Sequence, residues 1–168
     1  DSQLAPTQQP VRVLDCAYAP LRLDGSPPPA QARDVWQLWT PNKALGLTGV
    51  RAAYAIAPHA DAADRLAALA SSWPVGTHGV AMLAAWVQPS VQRWLADCLP
   101  LLPAWKVRQQ TLCSALDWAE CKGSTANFFC VRPPQERLPE RLAVLRVAGI
   151  KLRECSSFGL PGVLRLGV

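Results

Sequence analysis

The first patterned stretch of the chain is VRVLDC, residues 11–16. Apolar and β-branched residues dominate it, which predicts a buried strand, and it closes on the carboxylate of Asp15 at a sheet edge. The Gly, Ser and Pro content of LDGSPPPAQ (23–31) marks a loop. DVWQLWT (34–40) predicts a second strand, TPNKALGLTG a turn-rich connection, and VRAAYAIA (50–57) a third strand of small residues. Beyond Pro58, Ala62, Leu66, Leu69 and Trp73 recur at helical spacing, and Pro74 stops that helix. GTHGVAMLAAWVQ predicts another helix. Residues 89–121 read as largely helical, with Pro100 and Pro103 kinking or breaking the run, and CKGSTA as a loop.

The pattern then changes. NFFCVRP (127–133) predicts a strand and PERLAVLRVAG (139–149) a helix closed by Gly149. IKLREC (150–155) and VLRLGV (163–168) predict two strands around the turn SSFGLPG. Strand, helix, strand, strand is a compact α+β unit. The expected organisation is α/β over residues 1–88, a connecting helical segment over 89–122, and a small α+β domain over 123–168.

Composition narrows the function classes. Half of the 168 residues are hydrophobic and 17% are charged, enough for a packed core. The net charge of +5 is spread over scattered arginines, with no run of five basic residues. Nucleic acid is therefore ranked last as a partner, and small anions suit dispersed arginines better. No uncharged apolar run is long enough to span a membrane, and DSQLAPTQQP has no apolar signal-peptide core. The expected location is cytoplasmic, with no membrane partner. Six cysteines without a CxxC pair or zinc spacing are expected to be buried thiols, and no metal site is expected.

Asp15 at a strand end, Lys43 in the turn after a strand and Arg51 at the start of another form a set with one matching chemistry. Pyridoxal phosphate needs a lysine for its Schiff base, a carboxylate for its pyridine nitrogen, and arginine and hydroxyl donors for its phosphate. The bland alternatives stay open: a solvated loop lysine, a turn-capping Asp and a surface arginine.

LDCAYAPL followed by TPNKALGLTGVRAAYAIAP resembles the fold type I aminotransferases. Asp15-Cys16-Ala17-Tyr18 matches that family's Asp-x-Ala-Tyr motif. Thr40, Lys43 and Arg51 match its Ser-x-x-Lys motif and the arginine eight residues on, with Thr for the usual Ser. The resemblance implies a partial three-layer αβα large domain and a small α+β carboxyl-terminal domain. Carried over, Lys43 would be the Schiff-base lysine and the proton shuttle. Asp15 would hold the pyridine nitrogen, Tyr18 the ring hydroxyl, and Thr40 and Arg51 the phosphate.

NFFCVR, GIKLREC and SFGLPGVLRLGV resemble the small domain of the histidinol-phosphate aminotransferase and threonine-phosphate decarboxylase branch. That likeness points to Arg165 as the substrate-carboxylate contact, Arg153 as a second anion contact and Asn127 as a substrate-side amide. An outward-pointing Arg165 and a turn-forming Asn127 remain alternatives. The phrase around Arg153 and Arg165 leans towards the decarboxylase of cobalamin synthesis. An amino-acid or phosphorylated amino-acid substrate and a homodimer follow from the resemblance. The chain is expected to be the carboxyl-terminal half of such an enzyme, without the family's phosphate loop and ring-stacking residue. A non-catalytic remnant, binding a partner through exposed sheet edges, is the competing reading.

Overall fold

The computed structural model describes residues 11–25 and 34–168, so the loop expected over 23–31 lies mostly outside the described residues. The chain divides into two compact units, one of residues 1–20 and 27–92, the other of residues 21–26 and 93–168.

In the first unit, β1 (Arg12–Asp15), β2 (Val35–Trp39) and β3 (Tyr54–Ile56) form a sheet in the order β1-β2-β3. β1 runs parallel to β2, with Asp15 opposite Leu38. β3 is antiparallel to β2, with Trp39 opposite Tyr54. The third strand is shorter than its pattern predicts. The carbonyls of Val50 and Ala52 accept hydrogen bonds from side chains rather than from a neighbouring strand.

Helix α1 (Ala60–Leu69) is capped by His59, whose Nδ1 accepts from the Ala62 amide at 3.2 Å. It ends before Trp73, where a longer helix was expected. Ala70 leaves the helix in extended geometry, and Pro74 disfavours helical geometry at Trp73. α2 (Thr77–Trp86) follows.

α3 (Pro89–Cys98) and α4 (Leu102–Ser114) are separated by a 3-10 turn at Leu99–Leu101. Pro100 and Pro103 each sit in a first turn, where the missing N–H costs no hydrogen bond. The helical stretch stops earlier than expected, and Ala119–Cys121 is strand β4. Asp117 takes left-handed geometry with φ 58°. The Trp118 amide then donates to the Cys113 carbonyl, and the Asp117 amide to Ser114, each at 3.0 Å. These two bonds are the Schellman helix stop, here built on Asp instead of Gly.

β5 (Phe128–Arg132), α5 (Leu138–Val147), β6 (Arg153–Glu154) and β7 (Leu164–Gly167) complete the second unit. Its antiparallel sheet has the order β4-β5-β7-β6. Gly149, at φ 80°, ends α5 through bonds from its own amide to Arg146 and from Ile150 to Leu145. β6 is only two residues long, because the Glu154 carboxylate gathers the loop that follows it. It accepts from the Ser156 amide at 3.0 Å, the Ser156 hydroxyl at 2.7 Å and the Gly162 amide at 3.3 Å. Phe129, Val131 and Leu164, each 0% exposed, form the core with Cys113 of α4, and Trp118, Leu142, Leu152, Leu166 and Val168 pack around it. No helix among the described residues is long and apolar enough to cross a membrane.

Candidate active site

In the first unit, parallel pairing sends the carboxyl ends of β1 and β2 to one edge of the sheet, where ligands bind in open α/β sheets. Asp15 closes β1, and Tyr18 follows it. Thr40 and Lys43 follow β2. Antiparallel β3 begins at the same edge, so Arg51, three residues before Tyr54, arrives there too. Five candidate residues from three separate stretches thus meet at one sheet edge.

The turn carrying Lys43 is built locally. The Leu45 amide donates to the Pro41 carbonyl at 3.0 Å, Gly46 to Lys43 at 3.2 Å and Leu47 to Asn42 at 2.8 Å. This is a single helical turn closed by a Schellman stop, and Gly46 supplies the φ of +67° that other residues adopt only with strain. Lys43 Nζ lies 4.9 Å from the centroid of the Tyr18 ring, in cation–π range. Asp15 Oδ1 accepts from the Ala17 amide at 2.9 Å, which shapes the chain between the acid and Tyr18. Cys16 between them is buried, and its amide donates to the Leu38 carbonyl at 2.8 Å. Burial first, and then the Asp15 carboxylate, push the Cys16 thiol up, so it stays a neutral packing group.

Arg51 is exposed, but the backbone on either side of it is gripped. Thr40 Oγ1 donates to the Ala52 carbonyl at 2.7 Å, and Asn42 Nδ2 donates to the Val50 carbonyl at 3.5 Å. Gly79 of α2 completes the frame. A Cβ there would meet Val75 Cγ1 at 2.6 Å, Ala52 Cβ at 2.9 Å and the Arg51 carbonyl at 3.2 Å. The Thr40 hydroxyl also lies 3.1 Å from Asn42 Oδ1, so its one hydrogen is shared between two protein acceptors, with the Ala52 carbonyl the nearer. Thr40 therefore braces the arginine segment.

The remaining candidates belong to the second unit. The Arg165 guanidinium on β7 lies 5.2 Å from the centroid of the Phe128 ring. Arg153, opposite Arg165 in the ladder, lies 5.2 Å over Phe158 and donates to Ser157 Oγ at 3.1 Å. Asn127 Nδ2 donates to the Val168 carbonyl at 3.1 Å, and the Val168 amide donates back to the Asn127 carbonyl at 2.9 Å. Asn127 is thus a brace at the end of β7.

The family model described as aminotransferase class I and II matches residues 17–168. The chain belongs to that family. Family members depend on pyridoxal 5′-phosphate. No curated protein matches the chain. Among solved structures, it resembles the histidinol-phosphate aminotransferase from Clostridium acetobutylicum at 17% identity and TM-score 0.76, covering 93% of this chain and 48% of that one. The L-threonine-O-3-phosphate decarboxylase from Porphyromonas gingivalis gives 20% and 0.68, covering 94% and 50%. The N-succinyldiaminopimelate aminotransferase from Mycobacterium tuberculosis gives 19% and 0.69, covering 92% and 44%. These likenesses show the aminotransferase fold. The chain spans half or less of the length of each.

Three residues in this aminotransferase-family chain escaped the sequence reading. Asn42 is a buried amide that links Thr40 to Val50. Phe128 supports Arg165, and Gly79 packs on Arg51 and Ala52. Only the Pro-Asn dipeptide before Lys43 carried a signal, and it reads equally as an ordinary turn. Among the described residues, no group of three or more His, Cys, Asp or Glu side chains is placed to hold a metal ion.

Proposed function

We propose that this chain carries the lysine-bearing half of a pyridoxal-phosphate-dependent enzyme that acts on the α-carbon of an amino acid. The observation that carries the reading is the Lys43 amine, held on a capped turn 4.9 Å over the Tyr18 ring at the sheet edge that also bears Asp15 and Arg51. That donor set fits a phosphorylated pyridine aldehyde. Lys43 Nζ would hold the aldehyde carbon, Asp15 the protonated ring nitrogen, Tyr18 the ring oxygen and Arg51 the phosphate. The bound cofactor supplies an electron sink for the bond broken at the substrate's α-carbon. Lys43 Nζ, once displaced by the substrate amine, would take and return the α-carbon proton. Arg165, stacked on Phe128, would fork the substrate carboxylate and so select which bond lies in the reactive orientation.

The finer reading is a threonine-phosphate decarboxylase of cobalamin synthesis, against an aminotransferase. It rests on the sequence around Arg153, the SSFGLPG turn and Arg165. The complete enzyme would be a cytoplasmic homodimer, with residues 1–88 contributing to its large domain and 123–168 forming its small one.

The test is an absorbance titration with pyridoxal phosphate on the chain and on Lys43→Ala, followed by borohydride reduction and peptide mapping. We expect a visible band that reduces onto Lys43 and is absent from the variant. Labelling spread over surface lysines, or no band, would overturn the assignment and favour the non-catalytic remnant.

A further inference from the structure

The face of the second unit's sheet opposite its core carries a row of side chains in which only the arginines have a proposed role. Residues directly opposite on antiparallel strands project to the same face. Cys121 on β4 is opposite Cys130 on β5, Cys130 is opposite Arg165 on β7, and Arg165 is opposite Arg153 on β6. Alternation sends Phe129, Val131 and Leu164 to the other face, into the core. Cys121 and Cys130 are both free thiols, each half-buried.

Opposite residues on antiparallel strands have α-carbons about 4.5–5.5 Å apart. That falls within the window of roughly 4.4–6.8 Å that a disulfide spans. The buried thiol of Cys155 also lies within hydrogen-bonding reach of the Cys130 thiol. Its backbone, however, follows β6, and β7 separates β6 from β5. Two strand spacings are about 9–10 Å, beyond the ~7 Å over which α-carbons can be bridged. Cys121 is therefore the partner whose backbone is spaced for a bridge to Cys130, while the Cys155 thiol touches Cys130 from a backbone set too far away.

We propose that Cys121 and Cys130 form a redox-active dithiol that closes to a disulfide by exchange with a small-molecule disulfide. The Cys121 thiolate attacks one sulfur of the reagent. The reagent's S–S bond breaks, and its other sulfur leaves as a thiolate that takes up a proton. The Cys130 thiolate then attacks the Cys121 sulfur and expels the second reagent thiolate. The protein gives up two electrons and two protons, and the reagent becomes two thiols. Cys130 is the resolving group. Burial, then Cys155 and Cys121, push its thiol up, while Arg165 acts in the opposite sense. The closed bridge clips the three-residue strand β4 to the sheet and fixes the residue opposite Arg165.

The test equilibrates the full chain with oxidised and reduced glutathione over a range of ratios, then alkylates free thiols and maps the peptides by mass. The expected product joins the Cys121 and Cys130 peptides, is lighter by two hydrogen atoms than the dithiol form, and is reversed by dithiothreitol. It persists in Cys155→Ser and is lost in Cys121→Ser. Circular dichroism of both variants separates a folding defect from loss of the bridge. Oxidation raises the thermal midpoint of the wild type and leaves that of Cys121→Ser unchanged. A bridge from Cys130 to Cys155, a stable glutathione adduct without closure, or two alkylated thiols at the most oxidising ratio would each overturn the proposal.

Discussion

The two sheets of this chain are held by different means. The second unit's sheet buries Phe129, Val131 and Leu164 against α4 and α5, a closed apolar core. The first unit's sheet leaves Val13, at 55% exposure, open to solvent, as is Val11 just before β1, and every residue of β3 is exposed. Cys16, Pro41, Asn42 and Ala44 are buried where the candidate site lies, Val35 and Gln37 along β2, and Ala62, Gly79 and Met82 on the two helices. Apolar burial holds the second unit. In the first, a polar scaffold of turn bonds and side-chain clips holds the site while the strands beside it stay uncovered. The lesson is that local order at a site does not require a finished core around it.

Substitutions that act on one unit only can break that contrast. The largest effect is expected from Phe129→Ala, which should cost about 3–5 kcal/mol by emptying the second core. Denaturant unfolding followed by tryptophan fluorescence measures the loss. Hydrogen exchange should then speed up across β5 and β7 and stay unchanged at residues 41–47. Parallel loss of protection in both places would mean the units are not separately held.

Gly79→Val comes next, at about 1–3 kcal/mol for overpacking against Val75 and Ala52. It should also weaken pyridoxal phosphate binding, because it pushes on the Arg51 backbone. Asn42→Ala should cost about 1–2 kcal/mol by stranding the Val50 carbonyl. Exchange at residues 50–52 reads that loosening, and an unchanged exchange rate there would contradict the bracing role.

The smallest effect concerns pH. Hydrogen bonds from the hydroxyl and amide of Ser156, then from Gly162, with Arg153 nearby, hold the Glu154 carboxyl below the usual carboxylate range. A depressed folded-state pKa gives stability that is present above the unfolded-state pKa. That stability is lost as pH falls through the lower folded value. Acidification should therefore loosen the loop over residues 154–162, and Glu154→Gln should abolish that dependence. Loop-specific exchange across an acid titration checks both.

The strands and their acidic and basic ends were largely legible in the sequence. NFFCVR was legible as a strand, although its four consecutive apolar residues do not show that Phe129 and Val131 are the pair that enters the core, and the spacing of Asp15, Lys43 and Arg51 pointed to one cofactor chemistry. Three things were not legible. β4 was hidden because its helix stop uses Asp117 in a conformation that glycine usually marks. The short β3 was hidden because the bonds that replace its ladder come from Thr40 and Asn42, eight to twelve residues away. The exposure of Leu66, Leu69 and Trp73 on and after α1 was hidden because helical spacing identifies an apolar stripe without showing what covers it.

The turn that carries Lys43 has a kinetic consequence. Its three closing bonds join residues no more than five apart in the chain. Contacts of such short range form in well under the microseconds that a hairpin needs. The parallel pairing of β1 with β2 must instead close a loop of about twenty residues and is slower. Lys43 can therefore acquire its local geometry before the sheet beneath it is complete, and Gly46→Val should delay the ordering of this turn more than it delays the pairing of the strands.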